Sequence, residues 1–233
     1  MDLIIVGAII KDHKMIETAI ASAPEYPFSK KYILFDGPAG PKDAGSLMED
    51  VYFAYTKYIE NKYPDFLVIR FSENVYFREM INYITTVSES ERLFIIQDDV
   101  QCHSMDLKQI EIQMNYLNDC KILCFPHKYI RPEGTHWYEI MDDAYPIPFI
   151  KSHGFSERVF ICDRLRMMEI TNELPKKTWR TQYFIEFIYQ NAMKSAEWRD
   201  ASDNKKEHYW NMWGTYFHHD IFHTHLCAKR KIT

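Results

Sequence analysis

Glycine is scarce in this chain, seven in 233 residues, and none of it forms a pattern that cradles phosphate on backbone amides. VGAIIKDH (6–13) and FDGPAGPKDAG (35–45) contain neither G-x-G-x-x-G nor G-K-[ST], which excludes the dinucleotide fingerprint and the Walker loop. Any bound phosphate is therefore expected to be held through a metal rather than a glycine-rich helix start. Paired cysteines are missing as well. Cys102, Cys120, Cys124, Cys162 and Cys227 show no C-x-x-C spacing and are too sparse for a disulfide scaffold, so a reducing, cytoplasmic setting is expected. No excess of one charge exists: 28 Lys+Arg stand against 33 Asp+Glu, net −5, which argues against a nucleic-acid partner. Long apolar runs are absent too. Leu3–Ile10 is too short to span a bilayer, follows Asp2 and precedes no small-residue cleavage signal; it reads as a first buried strand, with no transmembrane segment. There is no internal repeat and no low-complexity tract.

What is present suits one substantial core. With 46% hydrophobic residues over 233 positions, a single domain is expected. The 15% aromatic content, with 16 Tyr and 5 Trp, leans slightly toward a ligand groove. Along the chain, LIIVGAII reads as a strand and HKMIETAIASA as a helix ending before Pro24 and Pro27. KYILFDG is a second strand, and the glycine- and proline-containing loop after it must be irregular. Helix SLMEDVYFAYTKYIENKY, strand DFLVIRF, helix YFREMINYITTVS and strand RLFIIQ follow. This alternation predicts an α/β fold with a mostly parallel central sheet flanked by helices.

Ligands of such sheets collect beyond the carboxyl ends of the strands. Asp36 ends the second strand, Arg70 lies near the end of the third, and Asp98 and Asp99 end the fourth, so all are expected along one edge. Adjacent carboxylates repel unless a cation sits between them. A divalent ion is one resolution for Asp98–Asp99; a turn or helix cap is the other.

With ILFDG and IIQDDV in place, the sequence resembles the GT-A fold glycosyltransferases. Their nucleotide-sugar half opens strand, helix, strand with an Asp near the base, and later carries a D-x-D or E-D-D motif. The resemblance covers roughly residues 1–163 in organisation and implies a Rossmann-like sheet of that type. It implies a single domain over 1–233, with 1–101 binding nucleotide sugar and 102–233 supplying the acceptor half. Asp36 matches the nucleoside-contacting aspartate. Asp99 matches a direct ligand of Mn2+ or Mg2+, with Asp98 contacting the metal shell or the donor sugar and ribose. Gln97 stands where an acid is common; it can hydrogen-bond a sugar hydroxyl but adds no charge. The implied activity is transfer of a sugar from a UDP- or GDP-sugar to a hydroxyl of a glycan or other acceptor. A nucleotidyltransferase on a similar sheet, or a binding module without activity, is the alternative.

Further candidates lie downstream. Asp142 and Asp143, in a polar and aromatic loop, are candidate bases, and Glu186 lies inside the apolar run of TWRTQYFIEFIYQNAMKSAEW, read as a helix. Ser152, His153 and Gly154 precede a further strand at Val159–Cys162 and, by the resemblance, border the donor sugar. His218, His219, Asp220, His223, His225 and Cys227 crowd the chain's end without zinc-finger or H-E-x-x-H spacing. By the resemblance, His223 or His225 is a late metal or diphosphate ligand. Lys229, Arg230 and Lys231 are placed to meet diphosphate oxygens, or form a solvated tail.

Overall fold

The computed structural model describes residues 1–7, 13–38, 46–117, 119–126, 138–139, 149–152, 155–156, 158–173, 214–218 and 220–226. Its centre is β1 (Asp2–Gly7), whose six residues are all buried. Covering a strand on both faces favours the unbroken Leu-Ile-Ile-Val run found here. Each such side chain contributes about 1.5–3 kcal/mol when taken fully from water. Parallel to β1 lie β2 (Lys31–Phe35) on one side and β4 (Arg92–Gln97) on the other, and β3 (Leu67–Arg70) adds to β2.

Beyond β4 the sheet becomes mixed. β9 (Val159–Asp163) runs antiparallel to both β4 and β6 (Ile122–Cys124). β10 (Thr215–His218) is parallel to β6 and antiparallel to β8 (Phe149–Ser152), which pairs with β7 (Tyr138–Glu139). The order is β3-β2-β1-β4-β9-β6-β10-β8-β7. The expected α/β, Rossmann-like architecture is therefore present, parallel from β3 to β4 and mixed from β9 onward. A separate two-stranded ribbon joins β5 (Val100–Cys102) to β11 (His223–His225).

Alternating side chains divide the core into two layers. Ile4, Val6, Leu93 and Ile95 meet α3 (Tyr76–Val87) and α5 (Arg164–Glu173) on one face. Leu3, Ile5, Phe94 and Ile96 meet α1 (His13–Ser22), α2 (Ser46–Lys62) and α4 (Leu107–Tyr116) on the other. Asp106 caps α4 by accepting from Gln109 N at 3.0 Å, and Asp163 at the end of β9 accepts from Arg166 N at 2.9 Å in the first turn of α5. Buried Arg78 ties α3 to α5 by donating to Thr171 O through Nε and Nη2. The aspartate edge thus rests on a frame closed on both faces.

Candidate functional site

β1 sits where the chain direction across the sheet reverses, β2 going one way and β4 the other, and a crevice at such a reversal is the usual ligand site of an open α/β sheet. Three backbone bonds tie the strand ends together at this reversal. Asp36 N donates to Gly7 O at 2.9 Å, Asp98 N to Val6 O at 2.8 Å, and Phe71 N to Phe35 O at 3.2 Å. The ends of all four parallel strands are so held in register, with Gly7, Asp36 and Asp98 as neighbours. Tyr52 strengthens this edge from α2, its hydroxyl lying 3.2 Å from Phe35 O and 3.0 Å from Phe71 O. Burial pushes its phenol up to about 12.

Asp36 is buried and already in use. Its Oδ1 accepts from Val75 N at 2.7 Å and Tyr76 N at 3.1 Å. In the orientation that satisfies both ends of the Asn74 amide, the Asn74 nitrogen donates to Asp36 Oδ2 at 2.8 Å. Helix α3 begins after Val75, whose apolar side chain cannot cap it, so β2 supplies the acceptor from a distance. Tyr76 adopts φ 63°, a left-handed value unusual for a bulky residue, at the point where its N–H turns onto Asp36. Gly37 lets the two loops meet: an added Cβ would lie 2.1 Å from Glu73 O. Burial raises the Asp36 pKa, opposed by hydrogen bonds from Val75, Tyr76 and Gly37 backbone N–H groups. The α3-capping role escaped the sequence reading, although a helix opening on Val75 without a capping side chain was its signal.

Asp98 and Asp99 form the two-residue turn between β4 and β5, Asp98 half-buried and Asp99 buried. Gln97, half-buried, ends β4 with its N–H on Arg158 O at 2.8 Å. The late histidines come back to this turn. β11 lies antiparallel to β5 with His225 opposite Val100 and His223 opposite Cys102. Its edges are fastened by Leu226 N to Asp99 O at 2.7 Å, His103 N to Phe222 O at 2.6 Å, and His103 Nε2 to Thr224 Oγ1 at 2.9 Å. His223 is buried beside the core-facing positions Val100 and Cys102. His218 is packed among Phe125, Phe149 and Phe222, its Nδ1 accepting from Asp220 N at 3.0 Å.

Arg70 is held on α2. Its Nε donates to Thr56 Oγ1 at 2.8 Å, and Nη2 reaches Thr56 O and Glu60 Oε2, both at 3.1 Å. Asp142, Asp143, His153, Glu186, Lys229 and Arg230 lie outside the described residues, and of His225 only the backbone is described.

Among the described residues, no group of three or more His, Cys, Asp or Glu is placed to hold a metal ion. The donor set still fits a hard divalent ion of one kind. Mg2+ is usually bound through one or two carboxylates together with substrate phosphates and water, not by an all-protein cage, and the Asp98–Asp99 turn offers two carboxylates. Among the described residues no helix is long and apolar enough to cross a membrane.

No protein-family profile and no curated protein sequence matches the chain. Among solved structures it is similar to Staphylococcus aureus TarS residues 1–349, at 13% identity and TM-score 0.55, over 97% of this chain and 60% of that one. The same TarS segment in complex with UDP-GlcNAc matches at 14% identity and TM-score 0.50, over 96% of this chain and 58% of that one. In complex with UDP it matches at 14% and 0.51, over 96% and 60%. At such identities the likeness is one of fold. The chain spans about 60% of the length of that TarS segment.

Proposed function

We propose that this chain is a metal-dependent glycosyltransferase, moving a sugar from a UDP- or GDP-sugar to a hydroxyl of a glycan or other acceptor. The observation that carries the reading is the meeting of Gly7, Asp36, Asp98 and Asp99 where β1, β2 and β4 end at the sheet's reversal point. That TarS shares the fold and takes UDP-GlcNAc and UDP into crystal structures supports it. In this reading residues 1–101 hold the donor. Asp36 lines its nucleoside end, and its grip on Asn74, Val75 and Tyr76 fixes that wall. Gln97 offers its amide to a ribose or sugar hydroxyl. Asp98 and Asp99 would hold Mn2+ or Mg2+ together with the donor diphosphate, with His225 beside them. When bound, such an ion lowers the cost of the negative charge on a departing diphosphate.

The chain's own residues must then orient the sugar, exclude water and take a proton from the acceptor. Residues 102–233 are assigned the acceptor half: Asp142, Asp143 or Glu186 as the base, His153 bordering the donor sugar, and Lys229 and Arg230 meeting diphosphate oxygens. Calorimetric titration of UDP and of GDP, each in Mn2+ and in EDTA, tests the proposal. Tighter binding of one of them in Mn2+, mostly lost in Asp99→Ala, is expected; equal affinity in both buffers for both nucleotides would overturn it. Formation of a UDP-sugar and pyrophosphate from UTP and a sugar 1-phosphate, without transfer from any UDP-sugar, would assign the same edge to nucleotidyl transfer.

A further inference from the structure

We infer that Gly7 is a positioning residue for Asp98: the absence of a side chain at the end of β1 leaves the room that Asp98 needs at its Cβ, and so fixes where its carboxylate sits. A Cβ built on Gly7 would lie 3.2 Å from Asp98 Cβ and 3.4 Å from Asp98 Oδ2, and 3.0 Å from Ile16 Cδ1. The first two contacts fall on the wall of the proposed site and the third on the core. Gly7 does not have the left-handed φ found at Gly214, so room for a neighbour, not backbone freedom, is what glycine provides here.

The register explains why the crowding falls on Asp98. β1 and β4 are parallel with Val6 opposite Gln97, so Gly7 and Asp98 are next in line. Side chains at matched positions of parallel neighbours leave the same face of the sheet. Ile5 and Ile96 already share the α1 face, with Ile16 in the same layer. Asp98 continues that series past the end of β4, where its turn brings it over β1. Gly7 cannot slide aside to admit a methyl group. Its carbonyl holds Asp36 N at 2.9 Å, and the preceding carbonyl, Val6 O, holds Asp98 N at 2.8 Å. Ile16 can give at the tip of a flexible side chain. The remaining relief is displacement of Asp98, the carboxylate assigned to the metal and donor shell.

The two clashes can be separated by mutation. Gly7→Ala strains both the core and Asp98; Gly7→Ala/Ile16→Val relieves the core contact and leaves the Asp98 contact; Ile16→Val alone is the control. Urea unfolding, UDP affinity in Mn2+ and the 13C-carboxyl resonance of Asp98, assigned by its loss in Asp98→Asn, are measured on all three. The double variant is expected to regain most of the stability lost in Gly7→Ala while its UDP affinity in Mn2+ stays about tenfold or more below that of Ile16→Val. Its Asp98 resonance should stay shifted in protein without UDP or metal.

The affinity readout rests on the glycosyltransferase reading, whereas the resonance does not. If wild type binds neither UDP nor GDP with Mn2+, that reading fails and the resonance alone decides the role of Gly7. An unshifted Asp98 resonance in Gly7→Ala, or affinity restored along with stability in the double variant, overturns the inference.

Discussion

One strand carries an aspartate at its start and ends beside another, and the two carboxylates have opposite surroundings. Asp2, at the amino end of β1, is buried and enclosed by structural donors: Lys30 N at 3.0 Å and Ser90 Oγ at 2.7 Å on Oδ1, Ser88 Oγ at 2.7 Å on Oδ2. It fastens the loops before β2 and β4 to the bottom of the sheet. At the carboxyl end, Asp98 sits half-buried in a turn, against a glycine, beside a second acid. Asp36 stands between these cases, at the ligand edge yet gripping the start of α3 as firmly as Asp2 grips its loops. A buried aspartate at a sheet edge is therefore no sign of a site. What separates them is whether the carboxylate closes the fold's own backbone or shares a crevice with another charge.

The sharpest contrast is in stability. Asp2→Ala leaves a backbone N–H and two hydroxyls short of their acceptor, and a loss of about 3 kcal/mol is expected in urea unfolding. The folded variant should bind UDP with Mn2+ as wild type does. Asp98→Asn keeps the shape and removes the charge. Stability is expected to change by less than about 1 kcal/mol, while UDP affinity in Mn2+ falls about tenfold to a hundredfold, toward the value in EDTA. If Asp98→Asn unfolded the protein and Asp2→Ala weakened UDP binding, the two ends of β1 would have been assigned the wrong way round.

A smaller effect places Asp36 on the scale. Burial raises its folded pKa, so the folded state holds the proton more tightly than the unfolded chain. The resulting stabilisation is fully present below the ordinary carboxyl pKa and is lost as pH rises through the raised folded value. In Asp36→Asn this component is absent. The Asn oxygen still accepts from Val75 and Tyr76, and the Asn74 amide can turn to present its oxygen. Unfolding free energies measured from pH 3.5 to pH 7 on both proteins should show wild type losing stability relative to Asp36→Asn as pH rises. A difference independent of pH would mean that desolvation does not control this carboxyl.

The sequence made the parallel half of the sheet legible and left the other half obscure, for a physical reason. Continuous apolar runs such as Leu93–Ile96, separated by amphipathic segments, announce strands covered on both faces, and the α1, α2 and α3 segments were readable by period and by Pro24 and Pro64. The run Val159–Cys162 also announced a strand. Nothing in Val-Phe-Ile-Cys, however, states that β9 runs antiparallel between β4 and β6, because direction is set by connections and partners. β5 and β11, three residues each, carry too little local pattern to be read; each exists through the other. In the site, the edge position of Asp36, Asp98 and Asp99 followed from strand ends alone. The capture of Arg70 by Thr56 and Glu60, the capping of α3 by Asp36 and the closeness of Gly7 to Asp98 depend on contacts between elements. Removing the late histidines by truncation after Gly214 would delete β10 from within the sheet.

The informative truncation is after Leu226, and it carries the smallest effect. Leu226 N is bonded to Asp99 O, so the chain departs from the ribbon beside the acidic turn, and Lys229, Arg230 and Lys231 follow within five residues. Deleting residues 227–233 keeps β11 and its bonds to β5, so urea unfolding should change by less than about 0.5 kcal/mol. If the basic residues meet the donor diphosphate, UDP affinity in Mn2+ is expected to fall about threefold to tenfold, with the loss shrinking at high salt as charge interactions are screened. Lys30→Ala is the matching control, since it removes a cation from the opposite edge, where Lys30 pairs with Glu89. UDP affinity should not respond to it. A loss in Lys30→Ala about one third as large in free energy as that of the truncation, one cation against three, would indicate only the protein's overall charge acting at a distance, and no loss in the truncation would remove the basic residues from the site while leaving the Asp98–Asp99 turn in place.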